Sequence, residues 1–274
     1  MTKSSYILVN VNEMDIIQSI FLGLIQGIVE WLPISSEGQS MVFMTKLLNV
    51  SAQEAFSLAI FLHLGTMLAV ILRFRTEFIQ MLTPKSNPLL LKIIVISTLS
   101  TGVTAIPLHF FLEKTFNQGD ALMLLIGVML IFTGLVLKLP DSKNTAYKNT
   151  ENMKTKDMVF LGLAQGFAIL PGVSRSGTTM TFLLLNRMNQ KHALEISFLI
   201  SVPAVLGANV FRLLTSPPLI ISSSNAFAMI CVSFIAGYVT MDALLRFAAR
   251  INFSKFCIVL GLITLIFALV PTLF

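Results

Sequence analysis

Long stretches without charge are the feature that most limits what this chain can fold into. Six of them occur, at about 55–72, 93–112, 121–137, 196–211, 213–241 and 256–274. Each is long enough, or nearly so, for a helix that crosses a bilayer, which takes about 20 residues. Only 12% of the residues are charged, against about a quarter in a soluble domain. Because lipid offers backbone groups no hydrogen-bond partner, the pattern predicts an all-α polytopic integral membrane protein with about six spanning helices.

Two further apolar stretches are interrupted. Residues 14–48 and 157–190 each contain an apolar segment, a break rich in proline, glycine and serine, and a second apolar segment. The segments are short for complete spans, and broken helices at membrane depth are tolerated only where they are buried in protein or line a cavity. We therefore predict two re-entrant helix pairs, each of which enters and leaves the membrane on one side.

The two broken stretches resemble each other. Residues 22–38 read LGLIQGIVEWLPISSEG and residues 161–177 read LGLAQGFAILPGVSRSG, so the frame LGLxQG, LP and SxxG recurs after about 139 positions. Each copy precedes three of the uninterrupted stretches. We predict a single membrane domain over 1–274, made of repeat one (about 14–139), a polar linker (about 140–157) and repeat two (about 158–274).

Basic residues set the expected topology. With two re-entrant pairs and six spans, 14 of the 19 lysines and arginines fall on one side, including the linker, four fall on the other, and Arg175 lies at a tip. The richer side is the cytoplasmic one by the positive-inside rule. The repeats are then inverted, with tips that meet near the midplane, as in transporters that build central sites from half-helix ends. We expect a multi-pass protein of the cell (plasma) membrane, and this placement argues against nucleic acid as a partner despite the net charge of +6.

The second break carries a charge that is costly at membrane depth. Arg175 is the only arginine or lysine in the predicted membrane-depth elements, and such a residue is a functional hypothesis by default. A helix restarts there, so its free N–H groups face the tip. With the hydroxyls of Ser174, Ser176, Thr178 and Thr179, the guanidinium suits a phosphate group. The alternative is an arginine that pairs with a buried carboxylate to hold two helices together; we favour anion binding because the tip itself has no carboxylate.

The first break supplies carboxylates. Gln26 and Glu30 are four residues apart and share one helix face, and Ser36 and Glu37 follow the break. If the tips meet, Glu30, and with it Glu37, faces Arg175. These groups suit phosphoryl transfer, in which a serine attacks phosphorus, or a carboxylate activates water or holds a metal ion.

The segments QGIVEWLPISSEG and LPGVSRSGTT resemble the two signature motifs of the undecaprenyl-diphosphatase family, also called bacitracin-resistance proteins. Those motifs are E/Q-x-x-x-E running into LP-x-SS-x-GH, and PG-x-SRS-G, and the resemblance covers almost the whole chain. It implies an inner-membrane enzyme that removes the terminal phosphate of a C55 polyprenyl diphosphate on the extracytoplasmic side, regenerating carrier lipid for cell-wall glycans. It also implies an active site lined by Glu30, Ser35, Ser36, Ser174, Arg175 and Thr179.

Together, the residues and the resemblance predict which side chains carry the reaction. The expected catalytic residues are Glu30, Ser36, Arg175 and Ser174. The expected substrate-binding residues are Gln26, Ser35, Glu37, Gln39, Gly172, Ser176, Gly177, Thr178 and Thr179. The expected partners are a polyprenyl diphosphate lipid and the bilayer.

The chain departs from the signature at two positions. Gln26 replaces the first acid, which the family tolerates, and Gln39 stands where the signature has histidine. If that histidine is the base elsewhere in the family, Glu30 or Glu37 must replace it here, because glutamine cannot take a proton. His63, in the middle of a predicted span, is interpreted as a hydrogen-bonded packing residue rather than a catalytic one.

Several points stay open at the level of sequence. A divalent cation, Mg²⁺ or Ca²⁺, could take part, with Glu30 as its ligand, and either a serine or water could attack. The oligomeric state is undetermined, and a homodimer is one option. A transporter or flippase for a phosphate-bearing lipid is the alternative function, and Gln39 leaves an inactive structural homologue as a third.

Overall fold

The structure, a computed structural model, describes residues 11–82, 88–115, 119–140, 148–248 and 252–269. Over these ranges the chain is helical apart from its turns, and no strand is present. The helices are α1 (Ile16–Val29), α2 (Ser36–Leu47), α3 (Ala52–Arg73), α4 (Arg75–Leu82), α5 (Pro88–Thr115), α6 (Gly119–Val136), α7 (Thr155–Gly166), α8 (Arg175–Leu185), α9 (Gln190–Thr215), α10 (Ser223–Ala248) and α11 (Phe253–Leu269).

Four of these helices, α3, α5, α9 and α10, are long and apolar enough to cross a membrane, and the apolar helices α6 and α11 are shorter. Large apolar side chains such as Leu99, Leu214 and Val239 are exposed on the surface of the helix assembly, which suits a lipid environment better than water. The predicted all-α class and multi-pass character are confirmed for the described residues.

One predicted boundary is wrong. The charge-poor stretch 213–241 is not a single helix, because α9 continues to Thr215 and α10 begins only at Ser223. Arg212, the residue that separates the charge-poor stretches 196–211 and 213–241 and that sequence alone places in a loop, lies inside α9 and is only 4% exposed. Charge is a poor guide to a helix end when a buried basic residue lies in the last turn.

Both predicted breaks are present. The first separates α1 from α2, and the second separates α7 from α8 after a 3₁₀ turn at Phe167–Ile169. Serine side chains cap both of the following helices: Ser35 Oγ accepts from Gly38 N–H (3.3 Å), and Ser174 Oγ accepts from Gly177 N–H (3.1 Å). The SxxG spacing that recurs in the sequence is therefore a helix N-cap in both repeats.

The recurring LGLxQG segment packs closely in both repeats. α1 packs against α10, and α7 packs against α5. A Cβ at Gly27 would lie 2.8 Å from Ser233 O, and one at Gly166 would lie 2.7 Å from Thr101 O. Glycine is needed at these matching positions because the neighbouring helix backbone comes too close for any side chain.

The predicted linker is only partly visible, since residues 141–147 lie outside the described ranges. Asn149 and Glu151 are exposed, while Met153 is buried. Lys148 N–H donates to Arg187 O (2.7 Å), which ties this segment to the turn after α8. The first turn of α7 already begins at Thr155, inside the predicted linker range.

Candidate active site

The tips of the two breaks touch each other. Gly172 N–H donates to Ser35 Oγ (3.1 Å), across 137 positions of the chain. A Cβ at Gly38 would lie 3.0 Å from Gly172 N, and one at Gly177 would lie 3.3 Å from Pro33 Cβ. Gly172 has φ of 97°, which glycine adopts without strain. The N-termini of α2 and α8 are therefore brought together. The sequence analysis predicts this contact between the tips of the two repeats.

The second tip is also fixed by a residue that sequence reasoning missed. Thr133 Oγ1, on α6, donates to Gly172 O (3.0 Å) and accepts from Ser174 N–H (3.2 Å). This buried hydroxyl satisfies two backbone groups in the loop immediately before α8. Thr133 belongs to no recognisable motif, so the only sequence signal for it is a polar residue within an apolar helix.

Glu30 lies at the centre of the polar cluster. Arg175 Nη2 donates to Glu30 Oε1 (2.6 Å), and Ser36 Oγ donates to Glu30 Oε2 (2.5 Å). Gln26 Nε2 also donates to Oε2 (3.0 Å), so the i, i+4 pairing expected from sequence is present. Glu30 is only 7% exposed, and a buried carboxylate needs this density of donors to remain ionised.

Arg175 is held on its other side by α9. Its Nη1 donates to Ser197 O (3.2 Å), and its guanidinium lies 5.9 Å from the centre of the Phe198 ring. Thr179 Oγ1 donates to Arg175 O (2.8 Å) and lies 2.6 Å from Ser197 Oγ. The ion pair with Glu30 matches the alternative in which Arg175 pairs with a buried carboxylate. Arg175 also lines a cavity, which the anion-binding alternative requires.

His63 lies next to Glu30, a position that the sequence interpretation did not give it. The residue assigned to packing lies in the cluster, with Nε2 3.2 Å from Glu30 Oε2 and Nδ1 2.7 Å from Ala59 O. A signal was present in the sequence: His63 and Thr66 are polar residues three apart in an apolar helix, which puts them on one face. Thr66 Oγ1 also accepts from Gln26 Nε2 (3.5 Å), so that face is turned toward the first tip.

Glu37 is a second buried carboxylate beside the cluster. It is 9% exposed, and its Oε1 has no hydrogen-bond partner among the described residues. Gln39, by contrast, donates from Nε2 to Ile34 O (3.4 Å) and lines neither cavity described below. Glu37 therefore faces the cluster, whereas Gln39, which stands at the position of the signature histidine, does not.

Two cavities meet at the cluster. The first, about 30 Å³, is lined by polar groups that include Glu30, Ser36, His63, Ser174 and Arg175. The second, about 100 Å³, lies between α3, α5, α7 and α9 and has mostly apolar walls. Each is large enough to hold at least one water molecule.

The remaining predicted site residues divide into two groups. Ser35, Ser174 and Ser176 line the polar cavity. Four others lie behind it and line neither cavity: Gly172, Gly177, Thr178 and Thr179. Gly172 and Gly177 already donate their N–H groups to the capping serines, so these two shape the tips.

The cluster does not fit a resident metal ion as it stands. Both oxygens of Glu30, the expected ligand, already accept hydrogen bonds from side chains. The described residues contain no group of three or more His, Cys, Asp or Glu placed to hold a metal.

Known proteins share this sequence over nearly its whole length. The family model described as bacitracin resistance protein BacA matches residues 19–265. A Methanothrix thermoacetophila protein named undecaprenyl-diphosphatase is 50% identical over 94% of this chain and 99% of its own length. Proteins of the same name from Methanopyrus kandleri and Methanococcoides burtonii are 38% and 36% identical, over 93% and 91% of this chain and 96% and 97% of their own lengths. The chain therefore belongs to the BacA family of bacitracin resistance proteins.

Proposed function

We propose that this protein is a membrane phosphatase that hydrolyses undecaprenyl diphosphate, or a related polyprenyl diphosphate, to the monophosphate and inorganic phosphate. The observation that carries the proposal is the arrangement around Glu30, with the Ser36 hydroxyl on one carboxylate oxygen and the Arg175 guanidinium on the other. A nucleophile, a base and a phosphate-binding cation in contact are what phosphoryl transfer needs. The names of the family relatives support the same reaction.

The diphosphate would bind where α2 and α8 begin. Each helix presents its positive end to the cluster, and two converging N-termini form a stronger anion site than one. Arg175 adds a full charge at the first residue of α8. Its Nε has no hydrogen-bond partner among the described residues, so a donor remains for a phosphate oxygen.

Ser36 is the proposed nucleophile. Its Oγ forms a bond to the terminal phosphorus, the Oγ proton passes to Glu30, and the bond from that phosphorus to the bridging oxygen breaks. Polyprenyl monophosphate leaves with the bridging oxygen. Water then attacks the phosphoserine, inorganic phosphate departs, and Ser36 regains a proton from Glu30. Ser174 is a weaker candidate because its Oγ already accepts the capping hydrogen bond of α8.

The apolar cavity gives the prenyl chain a place beside the headgroup. Its walls include small side chains on α9, namely Ala204, Val205 and Ala208, together with Ala105 on α5. At about 100 Å³ it is too small for a C55 chain, so it would hold only the segment next to the diphosphate. The rest of the chain would lie in the bilayer.

The membrane arrangement is part of the proposal. Six spans and two re-entrant pairs in inverted repeats, at about 14–139 and 158–274, would bring both tips to the midplane. The linker would be cytoplasmic by the positive-inside rule. The site would open to the extracytoplasmic side of the plasma membrane, where the released monophosphate re-enters carrier-lipid recycling for cell-wall or other surface glycans. A homodimer is compatible with this arrangement.

Purified protein in detergent or nanodiscs tests the proposal directly. With C55 diphosphate as substrate, the wild-type protein should release phosphate, and Arg175→Ala and Glu30→Gln should each lose at least about a hundredfold in rate. Glu151→Gln, an exposed carboxylate in the linker, is the matched control and should retain full activity. Parallel assays with EDTA show whether phosphate release requires a divalent cation bound to the substrate. Lipid binding without phosphate release by the wild-type protein would overturn the proposal in favour of a transporter or flippase.

A further inference from the structure

The ring of His63 is held between two acceptors. Nδ1 lies 2.7 Å from the carbonyl oxygen of Ala59, which can only accept, so Nδ1 carries a hydrogen. Nε2 lies 3.2 Å from Glu30 Oε2, which already accepts from Ser36 and Gln26. A neutral ring with its hydrogen on Nδ1 would direct a lone pair at that oxygen. The geometry is satisfied when both ring nitrogens donate, that is, by an imidazolium ion.

His63 also occupies a specific place relative to the two cavities. It lines both the polar cavity and the apolar cavity, as do Glu37, Ala168 and Arg175. If the terminal phosphate lies beside Ser36 and the prenyl chain in the apolar cavity, the leaving phosphate lies at the junction between them. Of the four residues there, Ala168 has no polar side chain, and Glu37 carries no positive charge to balance that of the leaving phosphate.

The two cations at the junction are engaged differently. Arg175 uses Nη2 for Glu30 and Nη1 for Ser197 O, which fixes its fork toward α8 and α9. His63 reaches the cluster from α3, and among the described residues its ring contacts the cluster through Nε2 and Glu30 Oε2, at 3.2 Å, which is long for a charged pair. The Nε2–H group can therefore exchange its hydrogen bond to Glu30 for one to a phosphate oxygen at little cost in free energy.

We propose, resting on the function given above, that His63 is a catalytic residue. Its cationic Nε2–H donates a hydrogen bond to the bridging oxygen while that oxygen leaves the terminal phosphorus as part of the polyprenyl monophosphate. In phosphoryl transfer, charge builds on that oxygen in a loose transition state, where a charged donor in a water-poor site is most effective. The chain has Gln39 where the signature motif has histidine, and Gln39 is directed at Ile34 O. Among the described residues, the imidazole of this cluster comes from α3 instead of α2.

The test compares kcat and KM for phosphate release from C55 diphosphate. His63→Gln keeps an N–H donor near Nε2 but removes the charge, and should lower kcat by about 10² to 10³ while KM changes by less than about threefold. His63→Asn, which retains the hydrogen bond to Ala59 O, should show the same loss if the Gln variant fails to fold. His192→Gln, at a half-buried histidine beside Glu195 that lines neither cavity, is the control and should match the wild-type protein. Gln39→His should give no gain.

The outcomes separate this inference from the proposed function. Active wild-type protein together with a folded His63→Gln variant of normal kcat overturns the inference alone. So does a variant whose KM rises while kcat is unchanged, since that marks a ground-state contact. A loss of kcat that only follows the loss of folded protein, measured by thermal unfolding, assigns His63 to packing and also overturns it. Failure of the wild-type protein to release phosphate overturns both.

Discussion

Arg175 Nη2 lies 2.6 Å from Glu30 Oε1, although the two residues are 145 positions apart and belong to different repeats. Neither residue has an oppositely charged residue in the sequence of its own break. The Ser36 position corresponds to Arg175 when the SxxG motifs are superposed, so one copy of the duplicated unit carries the proposed nucleophile and base and the other carries the arginine. The candidate site exists only where the halves meet.

Arg175→Lys should abolish turnover as completely as removal of the side chain. The guanidinium contacts Glu30 and Ser197 O with different nitrogens and leaves Nε for the substrate, which a single ammonium group cannot reproduce. We expect a fall in kcat/KM of at least about a hundredfold, since the lost group is the charged phosphate donor. Arg246→Lys, at an exposed arginine that donates to Asp242 O, is the matched control. Wild-type turnover in the Arg175→Lys protein would contradict the role of the fork.

Ser36 and Ser174 can be distinguished by comparing activity with stability. Ser36→Ala removes the proposed nucleophile together with a buried hydrogen bond to Glu30, so it should reduce kcat by orders of magnitude, well beyond what its cost in stability of about 1.5–3 kcal/mol explains. Ser174→Ala removes the cap of α8 and should cost about 1 kcal/mol of stability, with a smaller effect on kcat. Phosphate-release kinetics and thermal unfolding of both variants provide the measurement. A reversed pattern would make Ser174 the nucleophile, and full activity in both variants would indicate direct attack by water.

The breaks could be predicted from sequence, because duplicated LP and SxxG motifs between apolar segments mark a broken helix. The placement of Glu30 opposite Arg175 could be predicted on the condition that the tips meet. The ion pair itself could not, because the sequence favours anion binding for Arg175 over the pairing with a buried carboxylate that the structure contains. The end of α9 was misplaced because Arg212 is buried within a helix.

Residues that spanning helices contribute to the site could not be predicted in the same way. Thr133, His63 and Ser197 lie in apolar helices, where one polar residue looks the same whether it packs, braces a loop or faces a cavity. Only the relative rotation of α3, α6 and α9 against the tips decides between these roles, and that rotation follows from helix packing rather than from a local motif.

Gly27→Ala should destabilise the protein, although alanine is the better helix former. A Cβ at Gly27 would lie 2.8 Å from Gly237 N and from Ser233 O, both backbone atoms of α10, so α1 would have to move away at a cost of about 1–3 kcal/mol. The control is Gly207→Ala on α9, where an added Cβ meets no atom within 4 Å; it should be neutral or stabilise by up to about 1 kcal/mol. Thermal unfolding in detergent measures both, and equal effects would contradict the close α1–α10 contact.

The proposed inversion of the repeats can be tested by cysteine labelling in intact cells and inverted vesicles. A background of Cys231→Ala and Cys257→Ser removes both thiols while keeping a donor for Pro33 O, which Cys257 Sγ contacts at 3.1 Å. Asn149→Cys in the linker and Lys46→Cys at the end of α2 then place single thiols at exposed positions. Because 14 of the 19 basic residues fall on the linker side, Asn149→Cys should react only from the cytoplasm and Lys46→Cys only from outside. The background must first release phosphate at the wild-type rate. Labelling of both positions from the same side would rule out inverted repeats whose re-entrant pairs enter from opposite faces.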